Sequence, residues 1–409
     1  MGEEMRNTRA LTILLLLLVF SVGFVISGCE KSNDTVKYSY TRPNTKPDVE
    51  EQDDYFGIIV FNSGWIGVVD GLTQTVSTPL LEGELGSAGG GIFDVVITPD
   101  GQTAIVSNFG DGTVYFIDTS DPQNPYVLGS LFLEMYAEDI ALTPDGTYAI
   151  VSDGGFTETL AVIDVESRTL VDMYDDDTTQ HQAVAVTPDG QTVLTVNYFG
   201  GLVNVFTIDG DGELTFVESI DVTDGDTIRP VNIGISPDGE TAIVAAVGDD
   251  EYMAFPVLRI SGPGQVDLTD MVTPIEDISG SQSVAFSSDG SRAALHCVPA
   301  DYEEDTPNLI VVLDITGPGE ASDADQAVEV DFYGRSQLFG VDTMAADFEG
   351  GYLFVANTTT SDAMNHIQIL DADSGDLVTT ITFDPVTYDT GEGDEEFDAY
   401  PVGIAIWQP

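Results

Sequence analysis

Basic residues are scarce in this 409-residue chain: 11 Lys and Arg stand against 71 Asp and Glu, for a formal charge of -60. No lysine follows Lys46, and only Arg168, Arg229, Arg259, Arg292 and Arg335 remain beyond it. A nucleic-acid partner needs clustered cations, so that class is excluded. Anionic membrane surfaces are repelled for the same reason. Cysteine is almost absent too, with only Cys29 and Cys297. If Cys29 is modified, no internal disulfide is available, and the fold must close by strand pairing. Three scattered His argue against a copper or zinc centre, and His296 and Cys297, being adjacent on a strand, face opposite ways. There is no Cys-x-x-Cys-His haem attachment and no Gly-x-Ser-x-Gly nucleophile elbow.

The acidity admits two readings, a solvated carboxylate shell suited to high salt or carboxylates that collect Ca²⁺. The nearest approach to an EF-hand loop starts at Asp371. It has Asp376 where Gly is required and Thr382 where Glu is required, so no metal site is assigned. Ca²⁺ stays open as a cofactor only through irregular loops.

With 42% apolar residues, 20 Phe and 15 Tyr, the chain has enough apolar side chain for a real core. Residues 1–28 carry Arg6 and Arg9 ahead of an apolar run from Leu11 to Ile26, too short for a typical membrane span. The run ends in Ile26-Ser27-Gly28-Cys29. This end resembles the lipobox of bacterial lipoproteins, which implies cleavage before Cys29 and acylation of it. Losing residues 1–28 removes two acids and two bases, so the exported part keeps the whole charge of -60. Residues 29–53 are polar, with Pro43 and Pro47, and read as a flexible tether. The expected address is the cell envelope, on the periplasmic side or the cell surface, held to the membrane through the lipid.

Residues 54–409 are dominated by a repeat. The phrase apolar-x-apolar-Thr/Ser-Pro-Asp-Gly occurs at Val95 to Gly101, Ile140 to Gly146, Val184 to Gly190 and Ile233 to Gly239. A copy with Ser288 for Pro ends at Gly290, and a degraded one ends at Gly350. The spacing is that of a propeller blade. Each triplet predicts a buried inner strand, and Pro-Asp-Gly a tight turn, in which Pro presets φ and Gly accepts positive φ. Second strands follow, such as Thr103 to Ser107 and Tyr148 to Ser152, then third strands such as Val114 to Asp118 and Leu160 to Asp164. The triplet centre is small in most copies (Ala141, Ala185, Gly234, Ala285, Ala345), as crowding near an axis demands. At the ends, Tyr55 to Val69 lacks an inner strand, and Ile404-Ala405-Ile406 is an inner strand with nothing after it. Together they make one blade. The expected fold is all-β: a seven-bladed propeller of four-stranded antiparallel blades, closed by the C-terminal strand.

These copies resemble the YVTN-type β-propeller repeat of the lactonase-like seven-bladed superfamily, whose second strands end in Asn. The matching positions here are Asn108, Asp153, Asn197, Ala246, Cys297 and Asn357, with Asn62 in the split blade. The resemblance implies the fold, and implies activity only weakly, because such propellers include binders, surface proteins and enzymes.

Ligands of propellers meet the axial mouth, so the residues before each triplet are the candidates: Asp94, Glu138, Asp139, Gln182, Asn232, Gln282 and Asp342, with His181 and Arg229 in nearby loops. Carboxylates there suit a cation or an Arg-paired polar ligand. No catalytic residue is assigned. The leading expectation is a non-catalytic envelope module binding a protein or small molecule at the axial face. Two alternatives stand beside it. One is a lactonase-like hydrolase of a small sugar-acid lactone, with Glu138 or His181 as base and an Arg as clamp; the other is a calcium-dependent surface or adhesion protein. The acidic stretch Tyr388 to Tyr400 reads as a mobile solvated loop, with an overhang of the mouth as the alternative.

The two readings of the charge separate by calorimetry. For residues 53–409, a melt that rises with molar NaCl but not with millimolar CaCl₂ at fixed ionic strength supports the solvated shell. A filled Ca²⁺ site at 100 times its Kd would instead add about 2.7 kcal/mol.

Overall fold

The structure, a computed structural model, describes residues 56–407 apart from 62–63, 71–74, 78–79, 82–83, 87–90, 156–158, 176–179, 224–227, 249–253, 274–277, 300–306, 334–343, 348–350, 357–365, 372–376, 383–385, 390–393 and 398–400. Cys29 and the tether, Asn62, Arg335, Asp342, Gly350 and Asn357 lie outside the described residues.

Seven antiparallel four-stranded blades follow one another. Blade 2 runs from its inner strand Ile92–Ile97 through Thr103–Asn108 and Thr113–Asp118 to Tyr126–Phe132. Blade 3 is Ala137–Leu142, Tyr148–Asp153, Thr159–Asp164 and Thr169–Asp175, and blade 4 is Val184–Val186, Thr192–Asn197, Leu202–Ile208 and Leu214–Asp221. Blades 5 and 6 start at Ile228–Ile235 and Ile278–Phe286, and join where Val247 pairs with Gly280. Blade 7 spans Met344–Asp347, Tyr352–Ala356, His366–Asp371 and Leu377–Thr382. A separate hairpin, Val386–Asp389 with Asp394–Phe397, occupies the acidic stretch before the last strand.

Burial falls from axis to rim, because inner sheet faces are covered by neighbouring blades and outer ones are not. Tyr148–Asp153 is buried over five of its six residues, whereas Thr169–Asp175 is mostly exposed. Crowding at the axis is real: a Cβ at Gly234 would stand 3.0 Å from Val284 of the next inner strand.

The Thr/Ser-x-Asp-Gly turns are built alike. In blade 2 the Gly101 N–H donates to the Thr98 carbonyl (2.8 Å), the Thr98 hydroxyl to Asp100 Oδ1 (2.6 Å) and the Gln102 N–H to the same oxygen (3.0 Å). The glycine has positive φ, 69–74° in Gly101, Gly146, Gly190, Gly239 and Gly290, a region L side chains avoid. In blades 3 to 5 a Cβ there would also be crowded. A Cβ would lie 2.8 Å from Pro99 at Gly146, 3.1 Å from Pro144 at Gly190 and 3.2 Å from Pro188 at Gly239. Gly146, Gly190, Gly239 and Gly290 thus each receive the proline of the preceding blade's turn, and these Pro-on-Gly contacts make a partial ring on this face.

Closure uses a substitute. Blade 1 is the C-terminal strand Pro401–Trp407 paired with Phe56–Phe61, with Ile58 opposite Ala405 and Phe56 opposite Trp407. It has no Pro-Asp-Gly turn to offer Gly101, and Trp407 takes the place of the proline. Its ring covers Gly101, where a Cβ would be 2.6 Å away; its Nε1–H donates to the Pro99 carbonyl (2.9 Å), and it packs on Phe56 (5.4 Å). The two chain ends thus complete one blade, as the repeat arithmetic predicts.

Trp407→Ala is expected to lower stability by about 2–3 kcal/mol, below the range for a fully buried aromatic because the ring is partly exposed. Deleting residues 401–409 should lower it far more, by leaving Phe56–Phe61 an open edge. Calorimetry of both variants checks this, and two unchanged melts would mean that the ring closes without this strand.

Candidate functional site

The mouth is the face opposite the Pro-on-Gly ring, where inner strands begin and second strands end. Five inner strands carry an irregularity just before their triplets: register shifts occur between Ile92 and Val95, Ala137 and Ile140, Pro230 and Asn232, Ser281 and Val284, and on the strand opposite Val60 and Phe61, whereas the ladder of Val184–Val186 in blade 4 shows none. Such bulges re-aim side chains. The two residues in each bulge do different work.

The second residue of the pair stitches blades together. The Asp94 carboxylate of blade 2 accepts the Ile140 N–H of blade 3 (3.1 Å), and Asp139 of blade 3 accepts the Val184 N–H of blade 4 (2.7 Å). The serine across the bulge works in parallel. Ser107 accepts the Asp94 N–H (3.0 Å) and donates to the Glu138 carbonyl; Ser152 accepts the Asp139 N–H (3.1 Å) and donates to the Gln182 carbonyl (2.8 Å). In blade 4 these positions become Ala183 and Val196, and the seam to blade 5 is apolar. The structure thus places Asp94 and Asp139, both buried, in the seams.

His181 is also a seam residue. It bridges Asp153 of blade 3, is fully buried, and puts Nδ1 2.8 Å from the Thr195 hydroxyl, with Phe206 and Tyr174 edge-on at 5.4 and 6.0 Å. An imidazole so enclosed does not face the mouth. Asn232 is buried on the inner strand of blade 5, which also carries Arg229. The Arg229 guanidinium lies over the Tyr198 ring, 5.7 Å from its centroid, a cation–π contact at the mouth.

The Asx positions make local turns: Asn108 Oδ1 accepts the Asp111 N–H (3.1 Å), Asp153 Oδ1 those of Tyr136 (3.1 Å) and Gly155 (2.8 Å), and Asn197 Oδ1 that of Gly200 (2.7 Å). His296 and Cys297 are both buried, and burial holds the imidazole neutral, with a pKa of about 3. Among the described residues no group of three or more His, Cys, Asp or Glu stands together as a metal site.

What the mouth does assemble is an aromatic shelf beside a buried acid–amide pair. Phe93 stacks on Phe109 (4.8 Å, 23°), which packs on Tyr136 (4.9 Å). Next to Tyr136, Glu138 is buried; its side chain hydrogen-bonds that of Gln182, and its Oε2 lies over Gly154, where a Cβ would displace it. Burial pushes the Glu138 carboxyl well above the usual carboxylate range, and the charge of Asp153 adds to this, while the Gln182 hydrogen bond opposes it. Phe109, Tyr136 and Tyr198 were not singled out from the sequence. The available signal was position: Phe109 and Tyr198 each directly follow the Asx residue that ends a second strand.

The model of the family described as "Lactonase, 7-bladed beta-propeller" matches residues 147–297. The chain is similar to the lactonase-type seven-bladed propellers. Solved structures of similar fold include a functionally unknown protein from Desulfotomaculum acetoxidans (20% identity, TM-score 0.69, 87% of this chain and 99% of that one). The periplasmic gluconolactonase of Pseudomonas aeruginosa is another (14%, 0.62, 87% and 99%). Hydrazine synthase of Kuenenia stuttgartiensis is a third (22%, 0.54, 69% and 77%). At these identities the likeness is one of fold, and its carriers differ in chemistry. No curated protein matches the chain significantly. The lactonase-type match spans the last three strands of blade 3, blades 4 and 5, and the first half of blade 6, and so takes in Gln182 and Arg229 but neither the shelf nor Glu138.

Because the folded state holds a proton on Glu138 that the unfolded chain releases above pH 4.5, its contribution is full below that value and is lost as pH rises through the raised pKa. Glu138→Gln should therefore melt with the wild type near pH 4 and increasingly above it toward pH 8. A pH-independent difference would mean that folding leaves this carboxyl's pKa unshifted.

Proposed function

We propose that the axial mouth binds a small, hydroxylated ring compound of the sugar or sugar-lactone class, in an exported module held to the membrane through a lipid on Cys29. The observation that carries this reading is the juxtaposition of the Phe93–Phe109–Tyr136 shelf with the buried Glu138–Gln182 pair. A ring's apolar face suits an aromatic platform, and a few fixed polar groups suit its hydroxyls. The enclosure of His181 and the seam roles of Asp94 and Asp139 favour a binder over an enzyme, since they withdraw three candidate catalytic or cation-binding groups from the mouth.

Lactone hydrolysis is the second reading, favoured by the family match over residues 147–297 and by Glu138. Water would add to the lactone carbonyl, the ring C–O bond would break, and a hydroxy acid would leave. Glu138, once deprotonated, would take the proton of the attacking water and return it to the leaving alkoxide, while Arg229 would hold the developing oxyanion. This makes hydrolysis rise with pH through the Glu138 pKa.

The test is titration calorimetry of the protein with D-glucono-1,5-lactone and gluconate, alongside pH-stat assay of lactone opening. Saturable binding with no opening above the spontaneous rate supports the binder. Opening that is lost in both Glu138→Ala and Arg229→Ala supports the hydrolase. Absence of both binding and opening removes the sugar-type reading of the mouth.

A further inference from the structure

The first of the two residues that precede each triplet points to a different use from the seam. These residues form a ring around the axis, one per blade: Val402, Phe93, Glu138, Gln182, Val231 and Gln282 for blades 1 to 6. Two neighbouring members reach one another: the Glu138 and Gln182 side chains hydrogen-bond across the boundary of blades 3 and 4. The polar members are not used up by the fold. Gln282 is 4% exposed, and among the described residues neither its Nε2 nor its Oε1 has a hydrogen-bond partner. Gln182 Oε1 and Glu138 Oε2 are likewise buried without one. Buried amides are ordinarily matched, because an unmatched one costs stability. Three such groups in equivalent positions of one ring describe a place where a ligand supplies the partners.

The chemistry of the ring is that of a hydroxyl reader. Gln282 offers donors and an acceptor, Gln182 an acceptor, and Glu138 a carboxyl that burial presses toward its neutral, donating form. Among the described residues cations are scarce: Arg229 stands at the mouth, whereas Arg168 sits in the turn between the outer strands of blade 3, Arg259 lines a groove with Thr316 and Pro318, and Arg292 begins a second strand beside the turn of Gly290. A phosphate or carboxylate group is held best by charge-assisted hydrogen bonds, and it would approach through the field of a chain of charge -60.

We propose that Glu138, Gln182 and Gln282 form a subsite beneath the aromatic shelf that reads the hydroxyls of an uncharged polyhydroxylated ring and turns away its phosphorylated or carboxylate forms, with Gln282 as a specificity-determining residue. This rests on the reading of the mouth as a sugar-type site and narrows it.

The experiment is calorimetric titration of the detergent-solubilised full chain, at low ionic strength, with 1,5-anhydro-D-glucitol, its 6-phosphate and gluconate. The uncharged ring is expected to bind about tenfold or more tightly than either anion, with the gap narrowing as salt rises. Gln282→Met, of equal length but without the amide, should weaken the uncharged probe about fivefold or more, the scale of one lost hydrogen bond, while the ligand-free variant melts at or above the wild-type temperature. Should that variant fail to fold, the ratio of neutral to phosphorylated affinity in the wild type still decides the selectivity. Equal or tighter binding of the phosphate or gluconate overturns this proposal alone, and so does unchanged affinity in Gln282→Met. No binding of any of the three overturns the sugar-type reading of the mouth together with it.

Discussion

A blade is a small sheet with two faces to cover, and nearly all of that cover comes from the adjacent blades, so everything in this molecule depends on the seam between neighbours. The seam is secured at both ends of the inner strands by different means. On one face a proline packs on the glycine of the next turn, a contact that a Cβ would crowd in blades 3 to 5. At the mouth, Asp94 and Asp139 accept backbone N–H groups of the following blade, with Ser107 and Ser152 completing the exchange. A buried carboxylate needs such partners to remain in place. Where Ala183 and Val196 replace the pair, apolar packing takes over, so the seam tolerates either chemistry as long as no polar group is stranded.

The bulge that creates the seam also creates the site. By inserting residues between two ladder positions, it sends one side chain to the next blade and its neighbour to the axis. Asp139 and Glu138 are adjacent in sequence and both buried, yet the first is fully engaged by Ile140 and Val184 and the second carries an oxygen without a partner. Two carboxylates side by side thus meet different surroundings, one held by backbone N–H groups of the seam and the other buried with an oxygen open to a ligand.

The acidity is built into the turns as well as the surface. Asp289 is held down to about 2, chiefly by the Ser291 hydroxyl and N–H, and hydrogen bonds to neighbouring hydroxyls and N–H groups lower Asp118, Asp145, Asp164 and Asp221. Each of these groups is better satisfied ionised, so the fold favours the charge that its overall balance must then tolerate.

The repeat of Pro-Asp-Gly turns determined the blades by itself, because spacing, turn chemistry and alternating burial are local properties. Second strands such as Tyr148–Asp153 extend only one residue beyond their predicted ends. The split first blade was legible for the same reason, since a strand missing at one end and a spare at the other can only be joined. Trp407 as the stand-in for a proline was not legible, because its role exists only against Gly101, some 300 residues away in sequence. Nor were the uses of the mouth residues. Asp94, Glu138, Asp139 and His181 look alike as polar residues near inner strands, and the sequence grouped them as one candidate site. Tertiary structure separated them, because the bulge and the neighbouring blade decide which side chain finds partners in the seam and which is left to face the axis.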